Sequence, residues 1–233
     1  MKKLFIALMA CAAIVSCSKS DVVFNDEQVE IGFSPVAKNI TKAVAGVGNN
    51  TFPTDLNLYV FANAQKDDMS QAWPDTYFKN AKFIYNRLEN NVYEGETPRF
   101  WPNVKSLVFA GYSNACNIDD IAENSTMNFT NNIMTINGYI QDNTKTGLGA
   151  NDLMWFPHDS KSYTKQTEAI GVTMKHACSW ITVKVLSDGN YTDLKLKGLT
   201  INDLYHTGTA TCKATAAEWA TSGEAVSEVL YSN

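Results

Sequence analysis

Apolar residues that recur at every second position constrain this chain more than any other feature, because successive side chains of an extended strand point to opposite faces. In IGVTMKHACSWITVKVL, the residues Ile170, Val172, Met174, His176, Cys178 and Trp180 share one face. The apolar parity then moves to Ile181, Val183 and Val185, which predicts a bulge or a change of packing partner at Trp180–Ile181. VEIGFSP alternates too: Val29, Ile31 and Phe33 interleave with Glu30, Gly32 and Ser34 until Pro35 ends the run, as in a half-buried or edge strand. LNLYVFA, from Leu56 to Ala62, is apolar on both faces and suits a central strand. KFIYNRLENNVYEG predicts two short strands around a turn near Asn90 and Asn91, and VKSLVFAGYS and NIMTINGYI predict two further core strands. LKLKGLTI and GTATCKAT are short β patterns marked by Gly198 and Gly208. NIDDIAENS has room for one helical turn, and SEVLYSN shows no clear strand pattern. Short strands with turn signals at intervals of about ten residues predict an all-β chain built as a sandwich or barrel, not from βαβ units.

The amino terminus follows a different rule. Lys2 and Lys3 precede an apolar run from Leu4 to Val15, too short for the ~20 residues of a membrane-spanning helix but suited to a secretory signal. The run closes on Ile14-Val15-Ser16-Cys17, which resembles the lipobox of bacterial lipoproteins, where cleavage leaves an acylated cysteine as the first residue. Residues 1–16 are then the signal peptide, Cys17 the lipidation site and residues 17–28 a tether. Several acyl chains, at about 0.8 kcal/mol per buried CH₂, would hold such a chain to a membrane.

Removing residues 1–16 from the 233 moves the formal net charge from −5 to −7. A mildly acidic chain with two arginines, Arg87 and Arg99, carries no footprint for nucleic acid. Cys116, Cys178 and Cys212 remain beyond the signal and Cys17, with no C-x-x-C spacing, so they are neither a disulfide framework nor a zinc site. The default for them is burial, and one disulfide among the three is compatible with export.

His176 and Cys178, two apart on a predicted strand, are the best candidates for a nucleophile and base or for two metal ligands. The competing and simpler reading is a core strand whose histidine bonds to its surroundings. Asp67–Asp68 and Asp119–Asp120 are adjacent pairs whose carboxylates diverge on an extended chain, and no hydrolase, zinc-protease or phosphate-loop motif occurs. The reading is a non-enzymatic chain with no catalytic residues, no metal and no cofactor. In PRFWPN, Phe100 and Trp101 admit two readings: an exposed platform for stacking glycans, or a plug at one end of the β core. The first makes the chain a surface glycan-binding lipoprotein, the alternative function weighed here.

Taken in order, the lipobox, VEIGFSPV, ITKA, RFWPNVKSLVFAGYS, DLMWFP and VTMKHACSWITVKV with LKGLTI resemble the fimbrillin family, the type V pilins of the Bacteroidales. The resemblance implies two transthyretin-like β-sandwich domains, placed at residues 29–165 and 166–233. The second is short beside the ~100 residues of a seven-strand sandwich. It also implies a structural or anchor subunit of a cell-surface fimbria that reaches the outer membrane as a lipoprotein. Its partners would be other fimbrial subunits, like or unlike, and a processing protease. In polymerising members a trypsin-like protease cuts after the first strand, and a strand of another subunit fills the groove. The matching bond here is Lys42–Ala43, and the strand to be lost carries Val29, Ile31 and Phe33. Lys42 stands where the family commonly has arginine, and its simpler reading is a solvated loop lysine.

Overall fold

A computed structural model describes residues 28–37, 52, 54, 56–65, 76–86, 92–102, 106–113, 121, 123–141, 152–158, 161–178, 183–186, 189–190 and 195–232. Among these the regular structure is almost wholly β: β1 Gly32–Ala37, β2 Leu58–Gln65, β3 Thr76–Asn86, β4 Val92–Gly95, β5 Ser106–Ser113, β6 Thr126–Asn128, β7 Ile133–Ile140, β8 Met154–Phe156, β9 Ile170–His176, β10 Gly198–Leu204, β11 Thr207–Cys212, β12 Ala217–Ser222 and β13 Val226–Ser232. The all-β expectation holds, with one helical turn around Ile121. The parity change expected at Trp180–Ile181 lies outside the described residues, as do Cys17, Lys42, Ala43 and Cys116. Val183–Leu186, expected to be strand, lies outside any strand, whereas VSEVLYS forms β13.

Seven strands close into a barrel in the order β1-β4-β3-β2-β5-β8-β9. Every pairing around it is antiparallel except the closing one, in which β1 runs parallel to β9. A second sheet has the order β12-β11-β7-β6, and β10 and β13 form a two-stranded sheet. Pairing crosses residues 165/166 in both directions: β9 closes the barrel and β11 pairs with β7. A division at that bond is therefore not a division between sheets.

Two cores explain why LNLYVFA and SLVFAGYS are apolar on both faces. Leu58, Val60, Ala62 and Ala64 of β2 and Leu107 and Phe109 of β5 point into the barrel, with Phe83, Met154 and Phe156. Tyr59 and Phe61 of β2, Tyr112 of β5 and Trp155 of β8 point outward and are covered by Met134, Ile136 and Tyr139 of β7 and Ala210 and Cys212 of β11. The second sheet thus shields one flank of the barrel, and β2 and β5 serve as its middle layer. Strands buried on both faces lose the usual polar alternation. Across this middle layer Tyr112 donates its hydroxyl to Asn80 Oδ1 at 3.2 Å, and Asn80 Nδ2 donates to the Ser125 carbonyl at 3.3 Å. Asn80 takes φ of 47°, a left-handed conformation that asparagine tolerates better than most residues.

Candidate functional site

The strand that closes the barrel is also the one that enters it from the amino-terminal side. Its backbone is held along both edges. On one edge Ile31 N donates to Arg99 O at 2.6 Å and Trp101 N to Val29 O at 2.8 Å, with Glu30 opposite Phe100, and the pairing continues as Gly32–Glu94 and Phe33–Tyr93. On the other edge Phe33 to Ala37 pair in register with Ile170 to Met174.

The side chains follow the alternation read from VEIGFSP. Ile31 and Phe33 are fully buried, Val29 is half-buried against the same core, and Ser34 and Val36 are exposed. Across the seam Ile170, Val172 and Met174 are buried while Gly171 and Thr173 face out, so both strands present one apolar face to the barrel interior.

Phe33 occupies an aromatic box. Its ring meets Phe83 edge-on at 4.8 Å and 90°, Phe109 at 5.3 Å and 85°, and Phe156 at 6.3 Å and a 41° tilt. These neighbours come from β3, β5 and β8. Edge-to-face pairs contribute about 0.5–1.5 kcal/mol each beyond the area they bury. Gly111 makes room for the box: a Cβ there would lie 2.4 Å from a Phe156 ring carbon and 2.6 Å from the Tyr59 carbonyl oxygen. Sequence reading singled out Val29, Ile31 and Phe33 but missed Phe83, Phe109, Phe156 and Ile170. Phe83, Phe109 and Ile170 fall in predicted strands, and nothing local marks them or Phe156 as the seat of one particular strand.

Residues 99–101 form the upstream edge of that seat. Trp101 is 8% exposed and packs edge-on against Phe109 at 6.0 Å, while the half-buried Phe100 accepts a 2.7 Å hydrogen bond at its carbonyl from the Tyr77 hydroxyl. Burial pushes that hydroxyl above the usual tyrosine value, with the Arg99 charge pulling it partly back. Of the two residues weighed as a stacking platform, Trp101 is buried and Phe100 half-buried. The Trp101 indole packs within the barrel core.

The other candidate constellation resolves into separate contacts. His176 Nδ1 bonds to Asp152 Oδ2, while the Cys178 thiol, half-buried, donates to the Tyr139 hydroxyl at 3.5 Å. Among the described residues no group of three or more His, Cys, Asp or Glu side chains is placed to hold a metal ion. Burial, with Cys178 nearby as a lesser cause, pushes the Cys212 thiol up to about 12 from an ordinary value of 9.0. Ionisation of this thiol is favoured in the unfolded chain from about pH 9 and resisted in the folded one. Its contribution to stability is therefore complete below pH 9 and is lost as pH rises toward 12. The expected result is that urea midpoints fall over this window more steeply in the native chain than in Cys212→Ala; parallel curves contradict it.

The described chain is all-β, with its first described strand seated between elements distant in sequence. The family model described as fimbrillin-like matches residues 41–231, most of the chain, and the chain belongs to that family. It is a family of structural proteins with a fimbrial, cell-surface role. A comparison with curated proteins finds no match. Among the described residues no helix is long and apolar enough to cross a membrane.

Proposed function

We propose that the chain is a structural or anchor subunit of a cell-surface fimbria, lipid-anchored at the outer membrane through Cys17, whose first strand is a removable plug. A trypsin-like protease cuts Lys42–Ala43, the strand carrying Val29, Ile31 and Phe33 departs, and a strand of another subunit takes its place. The observation that carries this reading is the position of β1. It alone closes the barrel through a parallel seam, so its loss frees the edges of β9 and of the Tyr93–Trp101 region while the other six strands keep their pairings with one another. Backbone hydrogen bonds then supply generic affinity for an added strand, and alternate side chains set its register.

A second feature favours exchange between like subunits. Glu228–Ser232 reads EVLYS, the same order of acid, β-branched residue, variable position, aromatic and serine as EIGFS at Glu30–Ser34. It lies in β13, whose only pairing among the described strands is with β10, and Val229 and Leu230 there are 62% and 50% exposed. A two-stranded sheet is marginal by itself, so exchanging β13 into a deeper seat costs little.

The test is limited trypsin digestion of the folded, non-acylated chain from residue 18 onward, with amino-terminal sequencing and sizing. A single cut after Lys42 followed by loss of the first strand and growth of oligomers is expected. A cut at Lys42 that leaves the strand seated and the chain monomeric, or no cut there, contradicts the proposal.

A further inference from the structure

We infer that the groove under the first strand selects its occupant by direction and by two inward side chains: a replacement strand must run parallel to β9 and place an aromatic ring where Phe33 sits, two residues after a bulky apolar side chain. This rests on the strand-removal reading above and adds what the vacated groove recognises.

Main-chain pairing cannot discriminate between sequences, because any extended segment offers the same N–H and C=O groups to β9 and to the 93–101 edge. The outward positions contribute little, since Ser34 and Val36 are exposed. Selectivity therefore falls on the inward residues, Ile31 and Phe33, which are both fully buried.

Of the two, Phe33 meets the more demanding surroundings. Phe83 and Phe109 stand at 90° and 85° to its ring, an arrangement that fits a flat aromatic and leaves gaps around a branched aliphatic chain. Its walls are themselves fixed: Phe83, Phe109 and Phe156 are 0%, 3% and 3% exposed. The Phe156 ring also packs so closely over Gly111 that it has no space to relax there. A box that cannot collapse penalises a smaller occupant most.

Direction is set by the seams. The strand pairs parallel to β9 and antiparallel to β4, so the bulky residue must precede the aromatic in the chain. A segment of reversed order presents the two side chains to each other's places.

The experiment uses the full mature chain with a site-specific protease sequence inserted after Lys42. The cut protein is unfolded and refolded with an excess of equimolar synthetic peptides of residues 28–42, distinguished by mass, and the complexes are counted by native mass spectrometry. The peptides are the natural sequence, Phe33→Leu, Phe33→Ala, Val36→Ala and the reversed sequence. The natural and Val36→Ala peptides are expected to be captured equally. Phe33→Leu should fall about tenfold behind, and Phe33→Ala and the reversed peptide about a hundredfold or more. Equal capture of the natural and Phe33→Leu peptides overturns the aromatic rule, and capture of the reversed peptide overturns the directional one. Failure of every peptide, the natural one included, overturns the strand-removal reading itself.

Discussion

Phe33→Ala is expected to lower the stability of the uncut chain by about 3–5 kcal/mol, the range for deleting a fully enclosed aromatic from a core that cannot close around the gap. The ring has no solvent exposure and three aromatic neighbours drawn from three strands, so its removal leaves a void that no single side chain can fill. Val36→Ala, on the outward face of the same strand at 43% exposure, should change stability by no more than about 0.5 kcal/mol. Urea denaturation of the two variants measures the contrast. A loss below about 1 kcal/mol at Phe33 would mean that the ring is not seated in the box.

Gly111→Ala is expected to be a damaging small change outside the first strand, at about 3 kcal/mol or more, the upper end of overpacking costs. Gly111 lies opposite Val60 on one side and Phe156 on the other. The added methyl would meet Phe156 at 2.4 Å and the Tyr59 carbonyl oxygen at 2.6 Å, and the second obstacle is main chain of a central strand that cannot swing aside. Because the displaced ring is a wall of the Phe33 box, the variant should also hold the first strand less firmly. Thermal unfolding of Gly111→Ala beside Gly171→Ala tests this, since a methyl at Gly171 meets nothing within 4 Å. Equal melting temperatures contradict the steric account.

The sequence carries the strands better than it carries their partners. Period-two alternation places the inward faces of the first strand and of β9, and an apolar run on both faces marks β2 as central, while β5 reads only as a core strand although both of its faces are covered. Alternation says which face is buried, not which strand lies alongside. The parallel seam between Phe33–Ala37 and Ile170–Met174 joins distant parts of the chain, and only closure of the barrel brings them together. AEWATS in β12 was illegible for another reason: it is mostly exposed, and its order comes from pairing with β11. Trp101 was ambiguous because the same indole suits a sugar or a core. Its burial follows from the 99–101 segment lying along the first strand, a tertiary contact with no local signature.

Hydrogen exchange of the cut chain, measured by mass spectrometry before and after removal of the first strand and again after assembly, tests the central claim most directly. The account predicts that backbone amides of Ile170–Met174 and of the Tyr93–Trp101 region lose protection when the strand leaves, that β2 and β5 keep theirs, and that protection returns at both edges when subunits join. Unchanged exchange at β9 after the strand has gone, or loss of protection throughout β2 and β5 at the same moment, would contradict a removable plug.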